Sequence, residues 1–320
     1  MKEQIRLYEF LDMWLENVIK GNVRISTHTA YKGYIENHIK RLLYNEQIKE
    51  ISIEKIQKFI GQLGSEEKAL SPKTIRSIFI MLKTALQCAV DYEYIIKNPC
   101  VKVRLPKLKE KEINVFTHDE QRKLETAILN SCDRRHIGVL LCLYTGLRIG
   151  ELCALKWEDI NLKEKTLTVR NSLNRVSNDN NNESKTQILQ EEPKTKKSKR
   201  IIPLPEFICE ILCKQKKDSK SQHVISMKSG KPVEPRAMQT IYKKLLKIAD
   251  IAEHNFHVLR HTFATRAIEL GADVKTISEM LGHSNSMITI NLYVHSLVEQ
   301  KQKVMQGLNN YFCNKKGSRK

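Results

Sequence analysis

The chain has 320 residues, 41% hydrophobic and 28% charged, which is long enough for two domains with real cores and too apolar for a disordered polypeptide. Its 55 Lys and Arg against 36 Asp and Glu leave a formal charge of +19 that the surface must mostly carry, so a polyanion is the expected partner, either nucleic acid or an acidic membrane. No run of about 18 apolar residues exists, and MKEQIRLYEF lacks a signal-peptide core, so the expectation is a cytoplasmic protein without a membrane span.

The eight Cys form no CxxC pair. Cys88, Cys142 and Cys153 lie among apolar helical neighbours and read as small buried thiols. Cys209 and Cys213 are one helical turn apart, with no second pair to complete a metal site, so all are read as reduced.

Leu7, Phe10, Leu11, Trp14, Leu15 and Val18 recur at helical spacing and predict a first helix over 7–19. Ser26 or Thr27 is placed to cap a second helix through Tyr31, Tyr34, Ile35 and Ile39, and a third covers 53–63. Ser71 and Pro72 form an N-cap with proline at the first helical position, before an apolar-periodic run from Ile75 to Ile95. These four helices make one unit, residues 1–98, ended by Asn98-Pro99. Its Lys73, Arg76 and Lys83 face either a phosphate backbone or water. The charged, proline-containing segment VKVRLPKLKEKEINV predicts an extended linker, 99–115. Thr117 with Glu120 is a capping box that opens a second domain, 116–320.

The apolar run IGVLLCLY, 137–144, ends that domain's first helices. In TGLRIGELCALKWEDI, Gly146 lets the chain reverse, and the next helix begins near Arg148, with a guanidinium at its N-terminus. Glu151, three residues on, either orients that guanidinium or forms an ordinary helix ion pair. TLTVRN alternates as a strand after a turn at 163–165, and an Asn-rich loop follows. TQILQ and RIIPLP read as two more strands enclosing the basic turn EEPKTKKSK. The run Lys194, Lys196, Lys197 and Lys199 is a solvated face, unless the tip folds over a bound strand and makes one Lys specific. Helices resume at Glu206 and Pro235.

The stretch from His257 to Tyr293 concentrates chemistry-bearing side chains. His257 and Arg260 leave one helix face. Gly271 stops that helix and Asp273 caps the next, whose apolar stripe Ile277, Met280 and Leu281 ends at Gly282. His283 then opens a turn, and Ser286 restarts a short helix that carries Tyr293 back toward the His and Arg pair. A lone His on a helix serves structure more often than chemistry. His257 and His261 share the spacing of a zinc helix, but Val258 stands where metal-dependent proteases carry an acid. After Tyr293, VHSLVEQKQKVMQGLNNYF predicts a C-terminal helix that packs at home or on a neighbouring subunit.

Two Arg, two His, one Lys and one Tyr, with no acidic cluster for magnesium, suit phosphodiester chemistry with no metal and no cofactor. Guanidiniums donate to nonbridging oxygens and neutralise charge developing on phosphorus. A phenol with an ordinary pKa of about 10 serves as nucleophile once cations and a base help it ionise. A Lys can return a proton to the departing sugar hydroxyl.

The blocks TGLRIGEL, PKTK, HVLRHTFAT, LGHS and NLYVH, in this order, resemble the tyrosine recombinase or phage integrase family over nearly the whole chain. The resemblance implies a mainly α protein with a small β-sheet (α+β): a helical N-terminal core-DNA-binding domain followed by a mixed α/β catalytic domain. It matches Arg148 to the first catalytic Arg, Lys194 to the hairpin Lys with Lys196 and Lys197 as rivals, His257 and Arg260 to the HxxR pair, His283 to the second His, and Tyr293 to the nucleophile. It implies a site-specific recombinase that cuts and rejoins DNA through a 3′-phosphotyrosine, for integration or excision of a mobile element, in the cytoplasm and nucleoid-associated. The implied partners are double-stranded DNA carrying recombination sites, a homotetramer on that DNA with the C-terminal helix docked on the adjacent protomer, and an accessory directionality factor where excision needs one; a membrane is not among them. The readings set against it are a Xer-like resolvase of chromosome or plasmid dimers, a type IB topoisomerase, and a catalytically idle DNA-binding protein.

Overall fold

The computed structural model describes residues 5–65, 69–108, 114–177, 186–191, 199–282, 305–306 and 308–309. It divides into two compact units, one of residues 1–111 with 176–187 and the other of residues 112–175 with 188–320.

In the first unit, α1 (Leu7–Trp14) runs into a π turn, Leu15–Ile19, and the stripe Leu7, Phe10, Leu11, Trp14, Leu15 and Ile19 is buried along both. Helix α2 (Ile25–Tyr34) continues through a second π turn, Ile35–Ile39, into α3 (Lys40–Leu43). It starts after Arg24 with no side-chain cap, so Ser26 and Thr27 lie inside its first turn instead of capping it. Packing against the first π turn and α5 substitutes for that local signal. Helix α4 (Ile53–Ser65) buries Ile56, Phe59, Ile60 and Leu63, the i, i+3, i+4, i+7 set of one face.

Helix α5 (Pro72–Asp91) has the cap read from sequence, with Ser71 Oγ accepting from the Thr74 N–H at 3.2 Å. It buries eight side chains from Ile75 to Ala89, each large one contributing about 1.5–3 kcal/mol. It stops at Asp91, short of Ile95, and Glu93 turns the chain with φ 62°. The apolar signal outlasts the helix because Tyr94 and Ile95 still pack on the same core. Beyond Asn98, whose Oδ1 accepts from the Cys100 N–H, residues 103–106 strap back onto this unit. Arg104 N–H donates to Gln57 Oε1 (2.8 Å), Arg76 Nε donates to the Pro106 carbonyl (3.1 Å), and Val103 and Leu105 cover the core.

The second unit opens with α6 (His118–Leu129) under the Thr117–Glu120 capping box. Helix α7 (Ile137–Thr145) is buried almost all round and packs against α11 (His257–Glu269). Gly146 then takes φ +65°, and a Cβ there would collide with Leu281 and Phe263. Helix α8 (Ile149–Ala154) follows. Strands β1 (Ile160–Asn161), β2 (Thr166–Val169) and β5 (Arg200–Pro203) form an antiparallel sheet in the order β1-β2-β5, with Leu167 opposite Ile202 and Val169 opposite Arg200. Strands β3 (Ser172–Ser177) and β4 (Thr186–Glu191) pair as a separate two-stranded sheet.

That topology corrects one sequence reading: β4 and β5 belong to different sheets, so they do not form one hairpin around the basic run. Leu167 and Ile202 meet in the core, and that burial selects β2 as the partner of β5. Strand β3 escaped the sequence reading because its buried residues, Leu173 and Val176, are three apart instead of alternating. Helices α9 (Glu206–Lys217), α10 (Pro235–Ile248) and α11, then α12 (Val274–Leu281), complete the described unit. Asp273 caps α12 by accepting from the Thr276 N–H (2.9 Å), and Gly282 closes it with φ +64°.

The seven described cysteines are free thiols. Burial pushes the Cys153 thiol up to about 12, and Cys142 rises for the same reason, so neither ionises readily. No helix among the described residues is long and apolar enough to cross a membrane.

Candidate functional site

Three of the six residues singled out by sequence, Arg148, His257 and Arg260, come together where α7, α8, α11 and α12 meet. Lys194, His283 and Tyr293 lie outside the described residues.

Arg148 is the residue before α8, and its backbone N–H donates to Glu151 Oε2 at 2.9 Å. Its side chain bends back over the same carboxylate, with Nη1 donating to Glu151 Oε1 at 2.7 Å, while Nη2 donates to the Gly282 carbonyl at 3.1 Å. The two readings of the three-residue spacing thus merge: Glu151 forms an i, i+3 ion pair that also fixes where this guanidinium lies.

Arg260 rises from α11 into the core and is 2% exposed. Nη1 donates to the Gly146 carbonyl and Nη2 to the Leu281 carbonyl, both at 2.7 Å. Its Nε is buried and has no hydrogen-bond partner among the described residues, an unsatisfied donor in a place where such groups are costly. Burial, then the neighbouring Arg148 charge, pushes Arg260 down to about 9, still well above neutral pH, so it keeps its proton.

A third arginine completes the cluster, and the sequence reading missed it. Arg200, the first residue of β5, donates from Nη1 and Nη2 to Glu151 (3.1 and 2.8 Å) and from Nε to the Met280 carbonyl (2.5 Å). The signal was present: β5 alternates buried and exposed, and Arg200 falls on the same inward face as Ile202. A charge at an inward strand position requires a buried partner of opposite sign. Glu151 is that partner. Burial alone would raise its carboxyl, but hydrogen bonds and charge from Arg200, and then the Arg148 charge, hold it at about 2.

Three consecutive carbonyls at the end of α12, those of Met280, Leu281 and Gly282, thus accept from three different arginines: Arg200, Arg260 and Arg148. The last carbonyls of a helix have no partner within it and carry its negative dipole end, so cations are favoured there. Among the described residues the cluster gathers three guanidiniums around one carboxylate, Glu151, a concentration of positive charge that favours an anion.

His257 begins α11, where its backbone N–H donates to Asn255 Oδ1 (3.0 Å). Its ring meets His261 edge-on with centroids 4.6 Å apart. The surroundings push His257 down to about 4, through desolvation first and then His261, Arg260 and Arg148. His257 is nonetheless exposed, which weakens the desolvation, while three basic neighbours act in the same direction. It is neutral at pH 7 and able to accept a proton. His261 is lowered too, by burial and by Arg260.

Thr262 and Arg266 brace the site from behind. Thr262 Oγ1 accepts from the Phe116 N–H (3.0 Å), and Arg266 Nη2 donates to the Phe116 carbonyl (2.7 Å), tying the chain ahead of α6 to α11.

A cluster of guanidiniums with one unsatisfied Arg donor beside a neutral imidazole has the chemistry to attract an anion and to accept a proton next to it. Residues 110–300 match the Phage integrase family, and residues 6–64 match its N-terminal SAM-like domain. A protein described as tyrosine recombinase XerC-like, from Caldanaerobacter subterraneus subsp. tengcongensis, is 32% identical over 97% of this chain and 84% of its own length. Tyrosine recombinase XerC of Bacillus pumilus is 27% identical over 87% of this chain and 88% of its own. Among solved structures, the Tn1549 transposon integrase in complex with a circular intermediate DNA has a TM-score of 0.80 at 22% identity, covering 95% of this chain and 99% of that one. A lambda integrase tetramer bound to a Holliday junction has a TM-score of 0.69 at 20% identity, covering 91% and 78%. At those identities the two structures share the fold, and they agree with its mainly helical α+β architecture. The family matches span both ends of the described fold, and the chain belongs to the phage integrase family of tyrosine recombinases, enzymes that cleave and rejoin DNA strands.

Proposed function

We propose that this protein is a site-specific recombinase that integrates or excises a mobile element by way of a 3′-phosphotyrosine. Arg148 and Arg260 bind the nonbridging oxygens of the scissile phosphate, and Tyr293 attacks it. His257, neutral at pH 7, accepts a proton, His283 donates to the phosphate, and Lys194 returns a proton to the departing 5′ hydroxyl. Residues 1–98 grip the core of the DNA site, 99–115 link the domains, and 116–320 carry the chemistry. The active assembly is a homotetramer on DNA, nucleoid-associated in the cytoplasm, with an accessory directionality factor for excision. The observation that carries this reading is the clustering of three guanidiniums around one carboxylate, Glu151, among the described residues, with the buried Nε of Arg260 lacking an acceptor there.

The test begins by sequencing genomic DNA that stays attached to the protein through SDS and rebuilding it as nicked half-sites. Wild-type protein is expected to leave an SDS-stable adduct that is lost in Tyr293→Phe and slowed about 10²-fold or more in Arg148→Lys, since a lysine cannot reproduce the guanidinium fork. A wild-type protein that forms no adduct on any fragment is only a binder. The names of the curated relatives favour a second reading, Xer-type resolution of dimers. Trapped sites flanking the gene itself point to a mobile element, whereas one site remote from the gene points to a resolvase.

A further inference from the structure

Arg148 and Arg260 are assigned to the phosphate, whereas Arg200 is buried beside them with its fork turned to the site's own carboxylate. Its side chain is 5% exposed, as is that of Glu151, and the guanidinium contacts given above all go to groups of the protein. It grips both oxygens of the carboxylate that aims Arg148 and, with Nε, the first of the three carbonyls that end α12. It also lies against the next turn: a Cβ added at Gly282 would come within 3.1 Å of Arg200 Cδ and Nη1. One side chain therefore spans residues 49 and 80 positions away in sequence and ties the loop bearing Arg148 to the helix end that leads into His283.

We propose that Arg200 is a positioning residue for strand cleavage: its fork fixes Glu151, and through it Arg148, in register with the end of α12, without itself touching the phosphate. The geometry gives the reason. With Arg200 in place, Glu151 is clamped on both oxygens and cannot rotate, so Arg148 Nη1 has one position to occupy. If the fork is removed, the carboxylate is free to follow Arg148, and Arg148 is then held to α12 only by its own bond to the Gly282 carbonyl. A displacement of about 1 Å at a group that stabilises a transition state is enough to cost about 100-fold in rate. Lysine cannot substitute, because a single ammonium cannot reach two carboxylate oxygens and a carbonyl in the directions a planar guanidinium does. This inference rests on the proposed cleavage reaction.

The experiment uses full-length wild type, Arg200→Met and Arg200→Lys with the trapped half-sites rebuilt as nicked duplexes, at a temperature where melting curves put each variant fully in the folded state. It reads single-turnover adduct formation at saturating protein and, separately, the Kd for the same duplex. The expected result is cleavage slower by about 100-fold in Arg200→Met and about 10-fold in Arg200→Lys, with Kd within about twofold of wild type. A purely structural arginine would lower the melting point and leave the rate of the folded protein unchanged, and that outcome overturns the proposal. So does a folded Arg200→Lys that cleaves at the wild-type rate, which keeps the test decisive even if Arg200→Met fails to fold. Wild-type protein that forms no adduct refutes the recombinase reading instead, so the two failures are distinguishable.

Discussion

The two units bury different things. Among the described residues of the α1–α5 unit, one polar side chain is buried, Asn98, and the rest of the core is aliphatic and aromatic apart from Met81 and Cys100. Its charges pair at the surface, as Lys40 does with Asp12 and Glu36. The second unit buries Arg260, Arg200, Glu151 and Asp159 beside a core no less apolar. Each buried charge costs several kcal/mol unless fully paired, and an apolar core of equal volume would be at least as stable. The first unit is thus built for stability, whereas the second gives up stability to hold guanidiniums where a phosphate can find them.

Cutting into the buried cluster is the most severe test of that contrast. Glu151→Met strips Arg200 of its carboxylate and is expected to destabilise the second unit by about 3–5 kcal/mol. Hydrogen exchange should quicken across α7, α8 and β5 while α1–α5 keep their protection. Equal loss in both units would erase the difference.

Acid should separate the units less sharply. Glu151 is held at about 2 against an ordinary value of 4.5, so the unfolded chain takes the proton first. The stability it confers is complete above pH 4.5 and disappears as the pH falls toward 2. His257, lowered from 6.5 to about 4, acts in the same sense at higher pH, because the unfolded imidazole protonates first and stability declines as pH drops from about 6.5, an effect that its exposure to solvent reduces. In the first unit Glu16 and Glu54 are also lowered, but they are fully exposed and screened. Exchange measured between pH 7 and pH 4, corrected for intrinsic rates, should show the second unit loosening first; the reverse order would contradict the assignment.

The smallest effect belongs to the surface. Lys40→Ala removes two ion pairs of 2.8 and 2.9 Å at once, yet should cost the first unit no more than about 1 kcal/mol in urea unfolding. A loss as large as that from Glu151→Met would mean that surface and buried charges count alike in this protein.

Much of the architecture was legible because the signals are local. Ser71-Pro72, Thr117 with Glu120, Gly146, Asp273 and Gly282 each act within a few residues of themselves, and each helix boundary they announced is where the chain turns. The spacing of His257 and Arg260, and that of Arg148 and Glu151, likewise needed no tertiary information. Ser26 and Thr27 misled because a cap signal is weak beside the packing of α2 on its neighbours. Arg200 was overlooked because a basic residue after KTKKSK looks like one more member of a solvated run. Only the inward face of β5 separates it from the rest.

By itself, then, the order of residues determined most of the helices, the caps at Ser71, Thr117 and Asp273, the basic character and the family blocks, since all of these depend on neighbours within a turn or two of chain. The tertiary structure alone decided that β5 pairs with β2, that Arg200 dips inward to meet Glu151, and that three arginines share the last three carbonyls around the end of α12. Those contacts join residues tens of positions apart, and a side chain's local preference carries no record of which distant group will satisfy it once water is excluded.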